Sequence, residues 1–150
     1  MEIRRLLENE ALPMDLLLEA DPSEKLVRAY STKGFCYIAE RHGKRIGVYV
    51  LLPLNKTTIE IKNIAISASA RGQGYGKQLL KHALSEAWRL QYGRVEIGTG
   101  NSSFDQLALY QKCGFRIDSI DHDFFVRNYP EPIMENGIQC RDMIRLAYKF

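Results

Sequence analysis

Arg71, Gly72, Gly74 and Gly76 fall within six residues, between the apolar run Ile64-Ala65-Ile66 and an amphipathic stretch that begins at Leu79. Glycines without Cβ let the backbone approach a ligand closely, and the first N–H groups of a helix have no partner of their own. The helix dipole adds partial positive charge at the same spot, so the natural occupant is a phosphate or pyrophosphate. A nucleotide-triphosphate loop needs Gly, four residues, then Gly-Lys-Ser/Thr, with the hydroxyl on magnesium. Here Gln78 follows Gly76-Lys77, and Arg71 stands where the first glycine belongs. The dinucleotide pattern G-x-G-x-x-G puts Lys77 or Leu79 at its final glycine, depending on where it starts. What remains is Arg71-x-x-Gly74-x-Gly76, a phosphate loop of another kind.

A second chemistry-bearing segment lies downstream: Asn101-Ser102-Ser103, a short apolar-periodic stretch, then Leu109-Tyr110-Gln111-Lys112-Cys113-Gly114-Phe115. One helix and one strand separate it from the glycine loop. In this order and spacing, over roughly residues 59 to 117, the two segments resemble the signatures of the GNAT N-acetyltransferase superfamily. The resemblance implies an α/β fold, one domain over residues 1–150, with helices around a mixed sheet whose central parallel pair splays apart. It implies acetyl-CoA as cosubstrate and no metal. By position, backbone groups of Ile64, Ala65 and Ile66 pair with the pantetheine arm as a pseudo-strand. Arg71, Gly72, Gln73, Gly74, Tyr75, Gly76 and Lys77 cradle the pyrophosphate. Asn101 or Ser103 reaches the cofactor, and Tyr110 lies near the sulfur. The sequence departs from the usual pattern at Ala68, where proline is frequent, and at Ser103, where the second motif often carries its Asn.

Transfer of an acetyl group from a thioester to an amine requires a neutral amine, and an alkylamine has a pKa near 10.4 in water. It also needs a donor for the oxyanion and a proton for the departing thiolate. Tyr110 suits the last task, since a phenol is neutral at pH 7 and can donate. Glu60, on the strand that leads into the loop, is the candidate base acting through water; the alternative is a carboxylate paired across the sheet with Lys or Arg. Glu96 is the second candidate. His42, in a hairpin, and His82, on the polar side of a helix, carry no expected chemistry, and His122 reads as a solvated turn, with binding or deprotonating the substrate as its other reading. The segment from His122 to Asn136 holds Phe124, Phe125, Tyr129, Glu131 and Glu135. Carboxylates beside aromatic faces suit a basic amine, while a dimer contact or a capping strand is the other reading. The acceptor is thus a small-molecule or peptide amine, and a homodimer is left open. A GNAT-shaped module that binds acyl-CoA without turnover is the alternative function.

The elements that position these groups follow from periodicity and turn residues. Glu2 to Glu8 reads as a strand, Met14 to Ala20 as a helix, and Ser23 as the start of a second helix through Ala29. Phe35–Ala39 and Ile46–Leu51 read as a hairpin turning at Arg41-His42-Gly43-Lys44. Thr57 to Ser67 alternates with period two. Leu79, Leu80, Ala83, Leu84, Ala87 and Trp88 form a helical stripe with Trp88 in the core. Val95–Ile97 is a short strand, Phe115 opens another, and Met143–Tyr148 is the last. Asn128 to Gly137 reads as a long irregular loop.

A chain of 150 residues with 45% apolar and 26% charged residues suits one globular domain. The net charge of +3 is dispersed, which argues against nucleic acid. No apolar run spans a bilayer and no signal-type region opens the chain, so the expected location is cytoplasmic with no membrane partner. Cys36, Cys113 and Cys140 are odd in number and form no CxxC pair, which indicates neither a disulfide framework nor a zinc site.

Overall fold

A computed structural model describes residues 1–150. Seven strands form one sheet: β1 (Glu2–Arg5), β2 (Phe35–Arg41), β3 (Lys44–Pro53), β4 (Thr58–Ile66), β5 (Arg94–Gly100), β6 (Arg116–Asp121) and β9 (Met143–Lys149). Their spatial order is β1-β2-β3-β4-β5-β9-β6. Only β4 and β5 are parallel. Helices α1 (Met14–Ala20) and α2 (Glu24–Lys33) pack with Val48 and Val50 in a smaller core. The main core lies under α3 (Tyr75–Arg89) and α4 (Phe104–Lys112), where Leu79, Leu80, Ala83 and Ala87 meet Ile59, Ile61, Val95 and Ile97.

The β4/β5 pair runs in register only from Thr58↔Arg94 to Ile61↔Ile97. Beyond it β4 continues against β3 and β5 against β9, which leaves a cleft between the two parallel strands. The local cause is a bulge: Val50 pairs with Asn63 and Leu51 with Ile61, so Lys62 is the extra residue. A bulge bends its strand and increases its twist. It also shifts the side-chain phase, which corrects the uninterrupted period two expected from Thr57 to Ser67. Strict alternation would put Asn63 on the face of Ile61; instead it reaches α1, donating from Nδ2 to the Leu17 carbonyl at 3.0 Å.

Turn chemistry agrees with the sequence at several points. Ser23 caps α2, its hydroxyl accepting from Leu26 N–H, as expected of an N-cap serine. His42 and Gly43 both have positive φ, 53° and 73°, and close the β2–β3 hairpin. Two further expectations fail. Trp88 is 64% exposed, because the last turn of α3 overhangs the core and its indole leans on Phe150 with centroids 5.2 Å apart. The expected irregular loop over Asn128–Gly137 holds the end of a short helix, α5 (Phe124–Asn128), and most of a hairpin, β7 (Ile133–Glu135) with β8 (Ile138–Cys140). Asn136 and Gly137, with φ of 54° and 73°, form its turn, and an Asn-Gly pair is a strong hairpin signal that the proline-rich surroundings mask.

Candidate active site

Two cavities open along the cleft. One, of about 460 Å³, is lined by Ile64, Ala65, Ile66, Arg71, Gly72, Gly74, Tyr75, Gly76 and Tyr110, with Glu19, Gln106 and Leu109 among its other walls. Gly72 and Gly74 sit at φ 76° and 81°, a left-handed backbone that favours glycine. Gly74 is the N-cap of α3. The first intrahelical bond runs from Gln78 N–H to the Gly74 carbonyl, so Tyr75, Gly76 and Lys77 N–H groups have no helical acceptor. This cradle fits a pyrophosphate, and the strand edge of β4 beyond Ile61 fits an extended arm beside it. Arg71 Nη2 pairs with Glu19 Oε2 at 2.9 Å across the groove mouth. Gln73 and Lys77 do not line this cavity; Gln73 Oε1 instead accepts from Arg41 at 3.3 Å.

The second cavity, about 400 Å³, shares Glu19, Ala20, Ile64, Gln106 and Tyr110 with the first. Its walls come from the α1–α2 link (Asp21, Pro22), the bulged part of β4 (Glu60 to Ile64), the diverging end of β5, α5 and the β7–β8 hairpin. Phe124, Phe125 and Tyr129 line it, as do Ser103 and Glu135. Tyr110 lines both cavities and is 5% exposed, its ring centroid 6.2 Å from that of Phe115. Burial alone pushes its phenol above the usual range, so it stays protonated.

Glu60 is 6% exposed and lines the second cavity. Arg145 Nη1 donates to its Oε2 at 2.9 Å, and Lys62 Nζ lies 3.9 Å from the same oxygen. Oε1 is thereby left for a water or a substrate. Glu60 thus faces the cavity and is also paired across the sheet. Glu96 accepts from Arg145 Nη2 at 2.9 Å and from Arg94 Nε at 3.1 Å and does not line either cavity. Burial raises its carboxyl, but the two guanidinium groups outweigh this and hold it low.

Asn101 lines neither cavity. Its Oδ1 accepts from the N–H groups of Arg141 and Asp142 and its Nδ2 donates to the Gln139 carbonyl, clamping the exit of β8. Ser103 donates to the Glu135 carboxylate at 3.0 Å. Glu131 lies outside the second cavity's walls. His82, expected on the polar side of α3, places Nδ1 2.8 Å from the buried Tyr49 hydroxyl, and burial lowers its pKa. It stands at a core-facing position, three residues after Leu79, so its role is in packing. Cys36 and Cys140 are buried, and burial pushes the Cys36 thiol up to about 11. No sequence pattern points to Asp21 or Asn63. The bulge alone turns Asn63 to this face, and Asp21 is brought in by the packing of α1 on β4.

Residues 3–115 match the Acetyltransferase (GNAT) family. The chain belongs to that family. It is 57% identical over 132 residues to the uncharacterized N-acetyltransferase YvbK of Bacillus subtilis (strain 168), covering 88% of this chain and 85% of the relative. A GNAT acetyltransferase from Elizabethkingia anophelis, crystallised with acetyl-CoA bound, superposes with a TM-score of 0.98 at 49% identity, covering 99% of this chain and 97% of the other. A protein described as an IAA acetyltransferase from Bacillus cereus superposes with a TM-score of 0.96 at 53% identity, covering 99% of each chain. This GNAT protein is therefore an acetyl-CoA-dependent N-acetyltransferase, built on the splayed mixed sheet that the sequence resemblance implied. No helix in it is long and apolar enough to cross a membrane.

Proposed function

We propose that this N-acetyltransferase moves the acetyl group directly from acetyl-CoA to a primary amine seated in the 400 Å³ cavity. The observation that carries the reading is Tyr110, whose side chain belongs to the walls of both cavities. The α3 cradle and the free edge of β4 hold the cosubstrate. Glu60, through a water at Oε1, takes the proton that frees the amine lone pair. The amine nitrogen bonds to the carbonyl carbon and gives up its second proton to water, the carbon–sulfur bond breaks, and Tyr110 gives its proton to the sulfur. Solvent then reprotonates Tyr110, and Glu60 releases its proton to water.

The cavity favours a basic amine. Glu135, Glu60, Asp21 and Glu19 line it with Phe124, Phe125 and Tyr129, against Lys62 as the one basic residue in its walls. Carboxylates and aromatic faces both attract an ammonium. The test is a panel of basic amines, neutral amino acids, peptides and IAA, each mixed with acetyl-CoA and followed by thiol release and by mass of the product. Acetylation of basic amines at rates well above the others supports the reading. Turnover confined to neutral or acidic acceptors contradicts it.

A further inference from the structure

Asp21 lines the acceptor cavity and collects donors without collecting a cation. Tyr129 Oη donates to its Oδ1 at 2.8 Å and Tyr30 Oη to its Oδ2 at 3.1 Å, while Ser23 N–H reaches Oδ1 at 3.1 Å. No lysine, arginine or histidine pairs with it within 4.0 Å. Tyr30 in turn accepts from Asn63 Nδ2 at 2.9 Å. Asn63 is 4% exposed and also lines the cavity, yet its Oδ1 has no hydrogen-bond donor. A buried acceptor left unpaired is costly, so such a group marks a place where a donor belongs. A carboxylate without a cation and an amide oxygen without a donor, joined through one tyrosine, ask for the same partner: a positively charged donor.

Asp21 and Glu60 stand in different walls of the cavity, one on the α1–α2 link and the other on β4. Asp21 comes from the α1–α2 link and Tyr129 from the residue closing α5, 108 positions away, so their hydrogen bond joins two separate walls. Glu60, at the bulge, has its own cations in Arg145 and Lys62. We infer that the acceptor is a small diamine-type dication: one amino group is acetylated beside Tyr110, and the second, still an ammonium, is anchored at Asp21 with the Asn63 amide oxygen beside it. This deepens the amine reading above and rests on it. The volume of about 400 Å³ suits a small molecule.

The test compares α,ω-diamines of increasing chain length with monoalkylamines of matched length, using thiol release from acetyl-CoA to obtain kcat/KM. Wild-type protein is expected to prefer one diamine length over its monoamine by tenfold or more. Asp21→Asn is expected to lower the diamine kcat/KM far more than that of the matched monoamine, removing the preference, with the acetyl-CoA KM within about twofold. Asp21→Glu keeps the charge and extends the anchor by one methylene, so it should retain the preference with its optimum at a shorter diamine. A purely structural role for Asp21 would not move the optimum. Diamines and monoamines used equally well, or Asp21→Asn slowing both series alike in a folded variant, overturn the second anchor while leaving amine acetylation intact. Failure of every amine to release thiol overturns the amine reading itself, and the anchor with it.

Discussion

Arg145 holds Glu60 by a single 2.9 Å bond from Nη1 to Oε2, while its other terminal nitrogen, Nη2, holds Glu96 at the same distance. One guanidinium on β9 thus orients a carboxylate on β4 across the intervening β5. Removing one partner of a buried pair is strongly destabilising, about 3–5 kcal/mol, because the other charge stays buried. Arg145 keeps 21% of its side chain exposed, which places Arg145→Gln at or below the lower end of that range. Adding Glu60→Gln should restore part of the loss, which a denaturant-melt double-mutant cycle measures.

Gly74 combines a left-handed backbone, φ 81°, with open space around its missing Cβ. Gly74→Ala therefore costs backbone strain of about 1 kcal/mol without a clash. Gly74→Asp adds a negative charge where the pyrophosphate is proposed to lie. Calorimetry should show CoA affinity falling by more than tenfold, over about 1.4 kcal/mol, for the Asp variant and less for Ala.

Glu135 lines the 400 Å³ cavity proposed to seat the acceptor, and Glu131 does not. Glu135→Gln should raise the KM for a basic amine by several-fold and leave that for acetyl-CoA unchanged. Glu131→Gln should leave both constants unchanged in the same steady-state assay.

Glu10 accepts from Arg4 at 2.7 Å and from Arg45 at 3.0 Å, and the Arg4 hydrogen bond leads the effects that lower its carboxyl from 4.5 to about 2. A carboxyl lowered in the folded state stabilises the fold above its unfolded value and ceases to do so as pH falls through the folded one. Stability from this group is therefore full above pH 4.5 and lost towards pH 2. Arg4→Gln should flatten that part of the acid melt.

Local sequence carried the parts of the site whose geometry is local. The Gly72–Gly76 turn and the start of α3 depend on φ values and orphan N–H groups, and residue type announces both. Tyr110 was legible from its place in a motif. Asn63 was not, since one bulged residue, Lys62, reverses the face of the later β4 residues and nothing in the alternation signals it. Asp21 and Arg145 act through partners 108 and 85 residues away, a pairing only the fold creates. Asn136-Gly137 was readable as a hairpin turn, and Trp88 fits the helical stripe yet lies where the core has ended.

In the proposed reaction Tyr110 protonates the departing sulfur. Tyr110→Phe keeps the ring packed against Phe115 and removes only the hydroxyl. General acid catalysis contributes about 10²–10⁴-fold, so kcat for thiol release with a basic amine should fall by that factor while CoA affinity by calorimetry and the melting temperature stay at wild-type values. A Tyr110→Phe protein that turns over at the wild-type rate shows that Tyr110 does not supply the sulfur's proton.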